Sequence, residues 1–72
     1  MLESLKATMV RDVSSRGLRD ADIKGANLTF DAQDGAVIAF CYTVSLVAGG
    51  SLTYSLDRAG RLAINGQEVG SA

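Results

Sequence analysis

The sequence predicts an α+β fold, with an N-terminal amphipathic helix packed on one face of an antiparallel β-meander of four to five strands. Three features predict it: an apolar stripe at helical spacing near the N-terminus, short apolar runs separated by glycine-ended loops, and a consistent parity of the large apolar residues within those runs. The chain has 72 residues, so we expect a single domain covering residues 1–72.

The helix is predicted over residues 2–16. Apolar side chains recur every three or four residues, at Leu2, Leu5, Met9 and Val13. Gly17 follows, and glycine is the residue that most readily takes the left-handed conformation of a helix C-cap. Leu18 is then placed to pack back on Val13 and close the helix end.

The sheet is predicted from the turns between apolar runs. Residues 33–35, 48–50 and 58–60 each end in glycine and suit three-residue hairpin loops. Asn65-Gly66 is a two-residue type I′ signal. The strands are therefore expected at about 26–31, 36–47, 51–57, 61–65 and 67–69.

A hairpin loop of odd length places even-numbered residues opposite even-numbered residues. All four aromatic residues and nearly all large aliphatic residues of the sheet region are even-numbered, so the turns and the apolar pattern select the same register. The helix is expected to cover this even-numbered face. The expected cross-strand pairs are Ile38 with Phe30, Leu46 with Leu52, Val44 with Tyr54, Leu56 with Leu62, Tyr54 with Ile64, and Val69 with Leu62.

The opposite side of the sheet, which we call the outer face, is predicted to carry small side chains, to be rich in hydroxyls and to be nearly uncharged at its centre. Solvated sheet faces normally carry lysine and glutamate, and residues 36–47 contain neither. The outer face is therefore a candidate interface, the alternative being an ordinary solvated face with a few apolar residues. Its predicted residues are Val37, Ala39, Cys41, Thr43, Ser45, Val47, Thr53 and Ser55.

Self-association is expected because so short a chain has a small core and few other means of stabilisation. The lone Cys41 cannot form an internal disulfide, and the chain contains no histidine for a Cys/His zinc site. A homodimer is the expected state. The sequence leaves open whether its interface is the outer face or a sheet edge.

Composition also argues against several functions. Without histidine there is no Ser-His-Asp or Cys-His set, so we expect no catalytic residue, no metal site and no cofactor. The formal charge of −1 is too balanced for nucleic-acid binding. Residues 35–56 carry no charge, but their β-branched and glycine content favours a hairpin over a membrane span. The single cysteine is consistent with the cytoplasm.

The sequence thus favours a small, non-catalytic protein–protein interaction module that regulates or inhibits a larger protein. The alternative is a carrier of a small ligand held between helix and sheet. In that case Tyr42 and Tyr54 would be its binding residues, because their hydroxyls are the only polar groups expected on the covered face.

Overall fold

The computed structural model describes residues 2–71. One helix packs against a five-stranded antiparallel sheet, which confirms the predicted α+β class. The strands follow one another across the sheet in the order β1-β2-β3-β4-β5. The elements are α1 (Leu2–Ser15), a short 3₁₀ helix (Asp20–Asp22), β1 (Ile23–Gln33), β2 (Ala36–Leu46), β3 (Ser51–Asp57), β4 (Arg61–Ile64) and β5 (Gln67–Ser71).

The C-terminal end of α1 has the predicted glycine cap. Gly17 has a φ of 75°, in the left-handed region. The Leu18 N–H donates to the Val13 carbonyl at 3.2 Å and the Gly17 N–H donates to the Ser14 carbonyl at 3.0 Å. These two bonds form a Schellman motif, which satisfies carbonyls that the helix itself leaves free.

The β3–β4 hairpin has the predicted register. Leu56 pairs with Leu62, and Tyr54 pairs with Ile64. The Gly60 N–H donates to the Asp57 carbonyl at 3.0 Å across the three-residue loop. The glycine-ended loop and the apolar alternation therefore predicted this pairing correctly.

The β1–β2 hairpin differs from the prediction. Its loop contains only Asp34 and Gly35, which are both left-handed, with φ of 52° and 79°. Aspartate tolerates this conformation better than most residues do. Phe30 consequently pairs with Phe40, and the expected pair with Ile38 was wrong. Ile38 is an extra, unpaired residue in β2, and this β-bulge restores the even-to-even parity along the rest of the hairpin.

The β2–β3 connection is also longer than predicted. Val44 pairs with Leu52 and Tyr42 pairs with Tyr54, so the expected Leu46–Leu52 and Val44–Tyr54 pairs were wrong by two residues. β2 ends at Leu46, and the backbone of residues 46–50 forms a wider loop in which Gly49 and Gly50 have φ of 107° and 81°. Since this loop also has an odd length, the even-numbered residues stay on one face.

The β4–β5 hairpin has the predicted two-residue turn at Asn65 and Gly66, with φ of 52° and 84°. Leu62, however, pairs with Gly70, because the register shifts by one residue between Leu62 and Ala63. Val69 is therefore the extra residue of a bulge, and its expected pair with Leu62 was wrong.

The core lies between α1 and the even-numbered residues of β2, β3 and β4. Its buried side chains are Leu5, Val44, Leu52, Tyr54, Leu56 and Leu62. Met9, Val13, Leu18 and Ile23 pack at its border. We call this side of the sheet the helix face. Every residue of β1 after Ile23 is exposed, so the helix leaves the first strand uncovered.

Candidate functional site

Strand pairing assembles the centre of the outer face in rows that run across the sheet. Thr43 lies between Asn27 of β1 and Thr53 of β3. Cys41 lies between Thr29 and Ser55 in the next row. The structure therefore places most of the predicted interface residues side by side. The amide of Asn27 and the hydroxyl of Thr29 on β1 lie beside them, as the alternation of β1 predicts.

Two of the eight predicted residues lie elsewhere. The bulge at Ile38 makes Val37 pair with Ala32, an even-numbered position, so Val37 leaves the outer face. Val47 follows the end of β2, where its N–H donates to the Asp22 carbonyl at 2.9 Å and its side chain is 64% exposed. The candidate surface is thus the remaining six: Ala39, Cys41, Thr43, Ser45, Thr53 and Ser55.

Charged residues lie at the Ala39 end of the outer face. Asp31 and Asp57 flank Ala39 on its two sides. The Asp57 carboxylate accepts hydrogen bonds from the Ala59 and Arg61 N–H groups, both at 2.9 Å, which holds it in the β3–β4 turn. The Arg61 guanidinium lies 3.5 Å from the same carboxylate. Glu68 of β5 lies opposite Ala63 and ends the Cys41 row. From β1 to β4 the middle rows carry hydroxyls, a thiol, an amide and methyl groups.

The outer face offers hydrogen-bonding groups, two of which bond to backbone carbonyls of β2. Thr29 donates from its hydroxyl to the Cys41 carbonyl at 3.4 Å, and the half-buried Cys41 thiol donates to the Tyr42 carbonyl at 3.7 Å. Between Leu2 and Ser71, no three carboxylate or thiol side chains come together as a metal-binding group.

The two tyrosines proposed for a ligand lie opposite each other on β2 and β3, on the helix face. Tyr54 is fully buried, and its hydroxyl donates to the Asp12 carboxylate at 2.6 Å. The Arg16 guanidinium donates to the same oxygen at 2.7 Å. A ligand at Tyr54 would have to displace Asp12, so this contact adds no support to the carrier hypothesis.

The Asp12–Tyr54 contact shifts the pKa values of both side chains. Burial, with the added effect of the Asp12 carboxylate, raises the pKa of Tyr54 to about 12. Burial also raises the pKa of Asp12, but the hydrogen bonds from Tyr54 and Arg16 and the charge of Arg16 outweigh it, so this pKa lies below its ordinary value. The hydrogen bond to Asp12 and its charge raise the pKa of Arg16. The trio links the last turns of α1 to the centre of the sheet.

Asp12 is a residue whose role the sequence reasoning missed. It follows Leu5 by seven positions and Met9 by three, so it belongs to the same helical stripe as the core residues. A buried tyrosine hydroxyl also requires a partner. Together these two signals mark Asp12 as a polar residue of the stripe that is placed to meet a tyrosine of the sheet.

No helix in residues 2–71 is long and apolar enough to cross a membrane. Comparison of the chain with known protein families, with characterised proteins and with solved structures finds no significant match. The candidate function therefore depends on the chemistry of the surfaces described above.

Proposed function

We propose that this chain is a non-catalytic protein–protein interaction module that self-associates as a homodimer through its sheet and regulates or inhibits a larger protein partner. The observation that supports the proposal is the outer face, whose central rows carry small uncharged side chains from β1 to β4. A chain with so small a core gains most from burying such a surface against another protein.

Small side chains make close approach of a second sheet possible. Two sheets stack face to face about 10 Å apart when the side chains between them interdigitate. Removing hydroxyl groups from water costs much less than removing charges, and hydroxyls can hydrogen-bond across the interface. A surface of hydroxyl side chains is therefore compatible both with water and with burial. Here these side chains are Thr43, Ser45, Thr53 and Ser55.

Molar mass in solution tests self-association. The variant Thr43→Lys with Ser45→Glu places two charges in the central rows, and we expect its mass measured by light scattering to fall below that of the wild type. The matched control is Ser14→Lys with Ser15→Glu, which introduces the same charges at two exposed positions of α1. A wild type that is monomeric at high concentration contradicts the proposal.

The larger partner requires a separate comparison. We expect a protein captured from a lysate by the wild type to be lost with the Thr43→Lys, Ser45→Glu variant and kept with the helix control. A partner retained equally by all three proteins would show that the outer face is not its binding site.

A further inference from the structure

The two edges of the sheet differ in how well they are protected against pairing with another strand. Edge strands are protected by short length, by charges and by bulges. β5 has all three: it has five residues, it contains Glu68, and it has a bulge at Val69. β1 is 11 residues long, with one extra residue, Lys24, near its start.

The unprotected part of β1 is residues 25–33, which continue without a bulge on the β1 side. Asp31 is the only charged residue among them. The free backbone edge of this segment is thus a ready template for another strand.

Large apolar side chains are exposed beside the same edge. Leu28 is 43% exposed and Phe30 is 62% exposed, although both lie on the helix face. Their neighbours across the first hairpin are Tyr42 and Phe40, which are half-buried. The free edge and the exposed apolar side chains thus lie on the same strand.

We propose that β1 pairs antiparallel with β1 of a second copy, about a twofold axis at Thr29, to form a continuous ten-stranded sheet. Thr29 is the midpoint of the regular segment 25–33. In this register every residue of the segment has a partner. Leu28 lies opposite Phe30 of the second copy, and Phe30 lies opposite its Leu28, so the exposed apolar groups cover each other.

Charge selects a second copy as the occupant of the edge. In this register Asp31 lies opposite Asn27 of the second copy, which can donate a hydrogen bond to it. Just beyond the paired segment, Lys24 falls beside Asp34 of the second copy at both ends. A register centred on Asp31 would instead oppose two aspartates and is disfavoured. The edge is therefore self-complementary in both shape and charge.

This contact goes beyond the proposed function because it uses the edge and the helix face rather than the outer face. The two contacts are compatible. The outer face by itself forms the homodimer of the proposed function. A chain that also uses the edge assembles beyond that homodimer, and loss of either contact leaves the dimer that the other forms.

The first test replaces the exposed apolar residues. We expect Leu28→Lys with Phe30→Lys to raise the concentration at which the edge contact half-forms by at least about tenfold, because like charges would then meet in the paired strands. Val69→Lys is the matched control, since Val69 is 55% exposed on the opposite edge strand. Analytical ultracentrifugation of each variant, with and without Thr43→Lys and Ser45→Glu, reports the assembly state.

The outcomes separate the two contacts. If the outer-face variant stays dimeric and becomes monomeric only with the Leu28 and Phe30 substitutions, the edge contact is supported. If the outer-face substitutions alone give a monomer, the edge contact is overturned and the proposed function stands. If the wild type is monomeric at high concentration, both are overturned.

A disulfide test checks the register without depending on those lysine variants. In a Cys41→Ser background, Thr29→Cys places two thiols directly opposite each other, at the ~5 Å Cα separation that a disulfide accepts. Asn27→Cys is the control, because its two copies would be separated by four residues along the strand. We expect Thr29→Cys to form covalent dimers under mild oxidation at least about tenfold faster. Equal rates, or a faster Asn27→Cys, would overturn the proposed register.

Discussion

The first and third strands present the same alternation of apolar residues to the helix face, but the helix covers only one of them. In β3, Tyr54 and Leu56 are 0% and 1% exposed. In β1, Leu28 and Phe30 are 43% and 62% exposed. The comparison shows that alternation identifies which side of a sheet a residue occupies and leaves its depth undetermined.

The difference in depth follows from the sizes of the elements. A helix with its side chains is about 10 Å wide, whereas five strands spaced about 4.8 Å apart span about 19 Å. One helix therefore covers about half of the sheet, and α1 lies over β3. On the β1 side, the sheet beyond the helix keeps an exposed apolar surface, which includes Leu28 and Phe30.

The largest expected loss of stability comes from a substitution of Leu5, which is fully buried between the helix and the sheet. Leu5→Ala should destabilise the fold by about 2–5 kcal/mol, because the cavity adds to the lost transfer free energy. Val10→Ala is the control, since Val10 is 55% exposed on the same helix. Urea denaturation followed by circular dichroism measures both. Equal losses would contradict the burial of Leu5.

A smaller loss is expected from Tyr54→Phe, which keeps the ring in the core and removes the hydroxyl bonded to Asp12. A hydrogen bond to a charged group contributes about 1.5–3 kcal/mol, and Arg16 remains as a partner of Asp12, so we expect a loss of about 1–2 kcal/mol. Tyr42→Phe removes the hydroxyl on the neighbouring strand and should cost less. Urea midpoints of the two variants compare these hydroxyls directly.

Alkaline pH tests the same contact without changing its packing. Tyrosine in an unfolded chain loses its proton near pH ~10, whereas Tyr54 in the folded chain has a pKa of about 12. Between these values the unfolded state binds fewer protons than the folded state, so the stability conferred by Tyr54 is complete below pH ~10 and declines as pH rises toward 12. Tyr54→Phe should remove this part of the decline. A wild type and variant with parallel stability curves would contradict the assignment.

The smallest effect on the folded monomer is expected in the uncovered half. Phe30→Ser should change the free energy of unfolding of the monomer by no more than about 0.5 kcal/mol, because most of the ring is already in water. Measurement at a concentration low enough to keep the chain monomeric separates this effect from association. A loss as large as that of Leu5→Ala would show that Phe30 is covered in the monomer.

The sequence by itself determined the fold class, the helix cap at Gly17, the β3–β4 register and the turn at Asn65 and Gly66. These features depend on local preferences, namely helical periodicity and the left-handed conformation of glycine. Parity, too, was predictable, because hydrophobic burial favours whichever register keeps Phe40, Tyr42 and Val44 on one side.

Tertiary structure alone decided the loop lengths, the bulges and the depth of each side chain. A two-residue turn with a bulge at Ile38 preserves the same parity as a three-residue loop, so the apolar pattern cannot distinguish them. Asp12 meets Tyr54 only because α1 lies over β3, 42 residues away along the chain. Phe30 is exposed, although it shares a face with the buried Tyr54, because the area that one helix covers is set by packing in three dimensions and not by the alternation of residues along a strand.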